Sequence, residues 1–345
     1  MPRESTSPNE LDLESVGRRD YWVVLSSTST SVPYLIPLTV VVGREAEPGK
    51  GLAAFGGTHG NEYEGPVAIK HLLREIRTEE VLGRIILVPV LNVAAFKVGS
   101  RESTADDGFN LNRVFVEGAG KTPALAGITH RIVDFVRDCI WPHVHMVIDL
   151  HSGGQVARFA HCMSFTLHDD PERTAEREQI ARWFGTPLVV RRKSASPESG
   201  LLIDDAECQG KMSFGSELGW GAAADVQGLR YARHGVLAAA IHHNQMRGQI
   251  KPLGHHASGT QHLVESRSAA GSVWAPYPGH YEPLVECGEW VTRGQIVGYL
   301  HDFYRIDAEP HPIVAGVDGF VLSQAWGARV EQGQAVLGVI QEAER

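Results

Sequence analysis

Short apolar runs rich in β-branched and aromatic residues, Tyr21–Leu25, Tyr34–Val42 and Leu52–Phe55, succeed one another early in the chain with Ser, Gly and Pro between them. Such runs read as strands. From Glu62 the spacing changes: Ile69, Leu72, Leu73 and Ile76 fall at i, i+3, i+4 and i+7, one stripe of an amphipathic helix. Pro66 lies near its start, where proline is tolerated because the first turn has no use for its N–H. Arg84–Leu91 (RIILVPVL) is expected to be a buried strand, Thr129–Ile140 a helix and His145–Leu150 a second buried strand. Strands alternating with helices predict a layered α/β domain.

After about Gly259 the pattern shifts. Between Gly271 and Val339 no helical stripe stands out, and short runs punctuated by glycine predict an all-β module. It carries an internal repeat: Val291-Thr-Arg-Gly-Gln-Ile-Val-Gly298 returns as Val330-Glu-Gln-Gly-Gln-Ala-Val-Leu-Gly338, and Ala275…Gly279 is echoed by Ala315…Gly319. Two similar hairpin units of about 40 residues suggest a small sandwich whose halves are related by an approximate twofold. In shape this resembles the barrel-sandwich hybrid of biotinyl and lipoyl carrier domains, but neither half places a lysine at a hairpin tip where a prosthetic group could be attached. A structural role is expected, as an active-site wall or as the contact of a homo-oligomer. The chain is accordingly divided into a polar N-terminal extension (1–20), an α/β domain (21–262) and the β module (263–345).

Composition narrows the partners. The chain has 345 residues, 43% hydrophobic and 21% charged, enough to bury a sizeable core. Its formal charge of -9, from 32 Lys and Arg against 41 Asp and Glu, argues against a surface built to neutralise phosphates, so no nucleic acid is expected. Met1–Asp20 lacks the apolar core of a secretory signal, and no stretch approaches the roughly 18 apolar residues that would span a bilayer, so no membrane is expected either. The four cysteines, Cys139, Cys162, Cys208 and Cys287, form no C-x-x-C pair, which fits a reducing cytoplasm better than a disulfide framework.

The candidate chemistry begins at Phe55-Gly-Gly-Thr-His-Gly-Asn-Glu62, between an expected strand and an expected helix. His59 and Glu62 are three residues apart, a spacing that lets both side chains converge on one ion. His151 follows the apolar strand Met146–Leu150, at the end where open α/β sheets place their sites. Two His and one Glu, with a fourth position open to water, are typical of catalytic zinc. An H-x-x-E pair alone arises by chance; the flanking glycines, the strand-to-helix junction and the Asp149-Leu-His-Ser-Gly153 sequence raise it above that. Asp149, two residues before His151, would orient the imidazole from behind. Glu217, in the apolar and glycine-flanked Phe214-Gly-Ser-Glu-Leu-Gly-Trp220, is a candidate to move the proton that a metal-activated water must lose. Arginines that grip a carboxylate or face a developing oxyanion complete the set.

These motifs, Gly57-Thr-His-Gly-Asn-Glu62, Asn110-Leu-Asn-Arg113, Asp149-Leu-His-Ser152 and Ser216-Glu-Leu-Gly219, taken in order, resemble the succinylglutamate desuccinylase/aspartoacylase family of zinc carboxypeptidase-like enzymes over most of the first 245 residues. The resemblance implies a zinc-carboxypeptidase-like α/β/α domain with a mixed sheet, followed by the smaller barrel-sandwich-like domain. It implies one zinc per chain held by His59, Glu62 and His151, and Glu217 as base and acid. It further implies Arg101 at the scissile carbonyl, and Arg113 with Asn112 at the substrate carboxylate. Where aspartoacylase-like enzymes carry a further arginine about ten residues before the catalytic glutamate, this chain has Glu207. That departure disfavours an acidic substrate arm, and Asp204, Asp205 and Glu207 are expected to attract a cationic amine instead. Length and the β module also resemble the acetyl-diaminobutyrate deacetylases of ectoine degradation.

The expected function is therefore a zinc-dependent amidohydrolase acting on a small N-acyl amino acid. Two rivals use the same residues: a zinc carboxypeptidase, and a non-catalytic zinc or amino-acid binding protein, which would have no need of a proton shuttle at Glu217. Absence of G-x-S-x-G, H-E-x-x-H, G-x-x-x-x-G-K-[ST] and G-x-G-x-x-G motifs removes the main support for other hydrolase and nucleotide-binding readings. Other histidines, among them His161, His242, His243, His255, His256, His280, His301 and His311, lack acids at ligand spacing and are expected to be core or surface residues.

Overall fold

A computed structural model describes residues 4–26, 33–116, 126–253 and 261–344. In chain order its strands and α-helices are β1 (Glu4–Thr6), β2 (Gly17–Ser26), β3 (Pro33–Val42), β4 (Gly51–Gly56), α1 (Glu64–Glu75), β5 (Arg84–Val88), α2 (Val93–Val98), α3 (Ile128–Phe135), β6 (Val144–Leu150), β7 (Ala157–Phe159), β8 (Cys162–Thr166), α4 (Pro171–Trp183), β9 (Leu188–Arg192), α5 (Leu202–Cys208), β10 (Met212–Glu217) and α6 (Val226–His242). Then follow β11 (His262–Glu265), β12 (Ser272–Trp274), β13 (Gly279–Pro283), β14 (Trp290–Val291), β15 (Ile296–His301), β16 (His311–Val314), β17 (Gly319–Ala325), β18 (Arg329–Val330) and β19 (Ala335–Glu342).

The expected elements form, with two shifts that have local causes. The strand over Arg84–Leu91 stops at Val88, because Pro89 follows and the chain then turns to pair Leu91 N–H with Gly56 O at 2.9 Å. The helix over Thr129–Ile140 is α-helical only to Phe135, widens to a π turn over Val136–Ile140 and ends ahead of Pro142. Part of the polar N-terminal stretch is built into the sheet: β1 runs parallel to β2, and Gly17–Asp20 pair with Thr39–Val42.

One mixed sheet runs in the order β1-β2-β3-β5-β4-β6-β10-β8-β9-β11-β19-β17-β14. Its central strands are buried on both faces, which explains why they read as continuous apolar runs rather than alternating ones. Successive residues serve opposite layers: Ala53 and Phe55 of β4 pack with α2, α3 and α5, while Leu52 and Ala54 pack with α1, α4 and α6. Ile69 and Leu72 of α1 and Ile76 just past its end form the buried stripe, with Leu73 at its partly buried margin.

The β module has its own core around Val291, Val297, Leu300, Val330 and Val336. Its repeat is reciprocal in space. Ala275 N–H donates to Gln334 O at 2.9 Å, and Ala315 N–H donates to Gln295 O at 2.9 Å, so each copy's Ala seats on the other copy's Gly-Gln turn. Among the described residues two strand pairings join the module to the α/β sheet: β11 bridges β9 and β19, and β7 pairs with β17.

Candidate metal centre

The strands β4, β5, β6 and β10 are parallel and end at one edge of the sheet. Loops leaving that edge carry the candidate residues, the usual placement in open α/β sheets. After β4 the chain turns at Gly57, whose φ of +63° suits glycine, and passes close to α2 at Gly60, where a Cβ would fall 2.1 Å from the Ala95 carbonyl carbon. This tight path brings His59 and Glu62 back over the sheet edge. His151 lies one residue beyond β6, its N–H bonded to Ser216 Oγ at 3.0 Å.

Glu62 spans the two imidazoles. Its Oε1 lies 2.8 Å from His59 Nδ1 and its Oε2 lies 2.9 Å from His151 Nδ1. All three residues are buried. The outward-facing nitrogens have acceptors of their own: His59 Nε2 is 3.0 Å from Asn110 Oδ1, and His151 Nε2 is 2.7 Å from Asp149 Oδ2. An Nε2–H donated outward leaves each Nδ1 lone pair aimed inward, the state a metal requires. Asn112 Nδ2 also stands 3.1 Å from His151 Nε2, but its Oδ1 accepts Leu202 N–H at 2.7 Å and the Asp149 carboxyl is the shorter partner, so Asp149 Oδ2 accepts the Nε2–H. Asp149 is itself steadied by the Thr58 hydroxyl, which donates to Oδ1 at 2.8 Å.

Electrostatics separate the carboxylates. Burial works against ionisation of Glu62, but His59 and His151 on either side overcome it and hold its carboxyl well below the usual range. Burial lowers His59, whereas for His151 the flanking Asp149 and Glu62 outweigh burial and raise it. Glu217, the last residue of β10, is pushed up to about 8, first by burial and then by the Glu62 charge. Its Oε2 is shut from solvent without a hydrogen-bond partner among the described residues. Ligand atoms of His59, Glu62 and His151 that all lie within 4.8 Å of one another, with Glu62 held ionised among them, fit a divalent cation, which would take the place of the His151 proton. Among the described residues, His59, Glu62 and His151 are the one cluster of this kind.

Arg101 reaches the same centre, with Nη1 2.9 Å from Glu62 Oε1. Arg113 is exposed, donates from Nη1 to Asn112 O at 2.6 Å, and is lowered by partial burial and by the nearby Arg101 charge. Asn112 is buried, with both ends of its amide engaged within the protein. The sequence had assigned no role to Asn110, Thr58 or Ser216. Asn110 and Thr58 lie inside the motifs already quoted, and the signal was their polarity in glycine-rich or apolar surroundings.

One expectation is corrected. Asp204, Asp205 and Glu207 do not await a cationic amine: Asp204 pairs with Arg192, Asp205 with Arg137 at 2.6 Å and Trp141 Nε1 at 2.8 Å, and Glu207 with Arg177 at 2.8 Å. Folding neutralises each with an arginine remote in sequence. The other histidines join no metal-holding cluster among the described residues; His161 pairs with Asp225 at 2.9 Å and His301 with Glu282 at 2.7 Å, acids that lie far along the chain. His255 and His256 lie outside the described residues.

Residues 48–243 match the succinylglutamate desuccinylase/aspartoacylase catalytic domain. The N-alpha-acetyl-L-2,4-diaminobutyric acid deacetylase of Halomonas elongata is 30% identical over 313 residues, covering 90% of this chain and 86% of that protein. A succinylglutamate desuccinylase/aspartoacylase from Rhodobacter sphaeroides superposes with a TM-score of 0.86 at 28% identity, over 97% of this chain and 98% of that one. The product-bound ectoine utilization protein EutE (DoeB) from Ruegeria pomeroyi superposes with a TM-score of 0.84 at 26% identity, over 96% and 98%. Motifs, fold and site geometry converge with these matches: the chain belongs to the succinylglutamate desuccinylase/aspartoacylase family.

Proposed function

We propose that this protein is a zinc-dependent deacylase that hydrolyses the amide of a small N-acyl amino acid, with N-acetyl-diaminobutyrate the first substrate to test. One observation carries the reading: buried ligand atoms of His59, Glu62 and His151 all lie within 4.8 Å of one another, and Glu217, whose Oε2 is shut from solvent without a partner among the described residues, has a carboxyl raised by burial and by the Glu62 charge. A metal ion needs the converging ligands, and a proton carrier working near neutral pH needs the raised carboxyl. The name of the Halomonas elongata relative supports the substrate class.

His59, Glu62 and His151 would hold the zinc, one per chain, with Asp149 orienting His151 from behind. When bound, zinc supplies the Lewis acidity that makes water nucleophilic near neutral pH and polarises an acyl carbonyl. Glu217 then accepts the proton of the attacking water and returns it to the leaving amine, a shuttle that needs one carboxyl in both protonation states. The Arg101 guanidinium, 2.9 Å from Glu62, is close enough to face the carbonyl oxygen as negative charge develops on it. Arg113 grips the amino acid's carboxylate, with Asn112 holding that arginine through its backbone carbonyl, and the grip orients the scissile bond.

In this reading residues 21–262 supply the chemistry and residues 263–345 wall the site against larger substrates. The four cysteines carry no disulfide, in keeping with work in a reducing cytoplasm. Among the described residues no helix is long and apolar enough to cross a membrane. The test is release of free amine by zinc-loaded protein from acetyl-diaminobutyrate, acetylaspartate, succinylglutamate and a C-terminal dipeptide. Preference for one acyl amino acid is expected. Turnover of the dipeptide alone would make it a carboxypeptidase, and no turnover with zinc bound would favour a binding protein.

A further inference from the structure

The turn that follows Glu217 holds strained backbone. Gly221 has φ of +78° and Ala222 has φ of +51°, two consecutive left-handed residues, the second carrying a Cβ that disfavours that conformation. The segment is also tied to its surroundings by backbone: Leu218 N–H donates to His151 O at 2.9 Å, Gly221 N–H donates to Gly154 O at 2.5 Å, and Asp225 caps α6 through Gly228 N–H at 2.7 Å. Between them Trp220 projects with 42% of its surface exposed, and the described contact on its ring is the Arg158 guanidinium, 4.5 Å from the ring centroid.

Arg158 belongs to the other half of the molecule as much as to this one. It sits in the middle of β7, opposite Gln324 of β17, so its backbone is held by the β module. Its guanidinium also pairs with Glu286 of the module at 2.8 Å, though Glu286 is largely exposed and that ion pair contributes little by itself. The chain that enters β7 is the one that leaves His151, and it is stitched to the Glu217 turn by Gly153 N–H on Gly219 O at 2.8 Å. The loops after the third metal-ligand candidate and after the proton carrier thus form one unit, and Arg158 is the side chain through which the β module grips it.

We propose that Arg158 is a positioning residue: braced by the β module, it stacks on Trp220 and holds the turn that sets Glu217 relative to the metal centre. This rests on the deacylase reading above. It gives the β module a role in catalysis beyond that of a wall, in which the cation–π contact adds a side-chain hold to the backbone bonds between the two loops.

The experiment uses the zinc-loaded full chain and compares Arg158→Ala, Arg158→Lys, Trp220→Ala and the Arg158→Ala/Trp220→Ala double variant. The expected result is a fall in kcat of roughly 3- to 30-fold for Arg158→Ala, with zinc content unchanged and partial rescue by lysine, which keeps the cation. In the Trp220→Ala background the Arg158 substitution should cost nothing further, since the contact is already gone. Amide hydrogen exchange of residues 218–224, which needs no substrate, should speed up in Arg158→Ala. An unchanged kcat and exchange rate in a variant of an active enzyme, or an equal loss in both backgrounds, would overturn the proposal. Faster exchange in a protein that hydrolyses no acyl amino acid would leave the brace standing and remove the deacylase reading instead.

Discussion

Asp149 Oδ2 lies 2.7 Å from His151 Nε2, although both residues are candidates to face the same site and only one residue separates them. The contact forms because Asp149 is the penultimate residue of β6 and His151 the first beyond it, so the imidazole folds back over the strand end while Thr58 pins the carboxylate from the other side. The carboxylate sets which nitrogen of His151 carries the proton. Asp149→Asn should therefore weaken zinc binding by about 10- to 100-fold without unfolding the protein, as measured by competition with a chromogenic chelator. Unaltered affinity would make the contact a merely structural one.

Glu217→Gln keeps the shape of the carboxyl and removes its ability to move a proton. Turnover should fall by about 10²- to 10⁴-fold while metal stoichiometry stays at that of the parent. Near-parental kcat would take Glu217 out of the mechanism.

The raised carboxyl of Glu217 also has a signature in the metal-free protein. Folded, it keeps its proton up to about 8; unfolded, it releases it near 4.5. Between those values the native state binds more protons than the unfolded state, so this group's contribution to stability falls as pH rises across that window. Urea unfolding of metal-free parent and Glu217→Gln at several pH values should show the parent losing stability relative to the variant from about pH 5 to about 8. Parallel curves would contradict the burial argument. Added zinc favours the ionised form and should flatten the difference.

Glu207 is spoken for by Arg177, 2.8 Å away, with Ser213 N–H as a second donor at 2.8 Å. Both members of the pair are largely buried, so removing one charge strands the other. Glu207→Gln should lower stability by about 3–5 kcal/mol in denaturant unfolding and leave KM for the acyl amino acid unchanged. A raised KM with unchanged stability would restore the amine-attracting role that the sequence alone suggested.

For Arg113 the expectation is the reverse. It is exposed and partnered by a backbone carbonyl, so Arg113→Lys should cost little stability. Loss of the planar fork should raise KM by about 10- to 100-fold, with a smaller change in kcat. An unaffected KM would move carboxylate recognition elsewhere.

Much of this site was legible along the chain because its parts are local. His59 and Glu62 share one loop, His151 and Glu217 each terminate an apolar strand, and parallel strands bring their ends to one edge whatever packs around them. The β module was legible too, since its repeat encodes the reciprocal Ala275–Gln334 and Ala315–Gln295 bonds twice. What depended on tertiary structure was charge and orientation. Whether Asp204, Asp205 and Glu207 are free or neutralised turns on arginines from α4, β9 and the turn after α3, and nothing in the spacing of acids along a chain says which cation will reach them. The same holds for Arg158, which means nothing until β7 pairs with β17 and carries its guanidinium over Trp220. Ligand types and strand ends are properties of short segments, written in the sequence; partners of a charge, and hence its pKa and its availability, are properties of what the fold brings alongside.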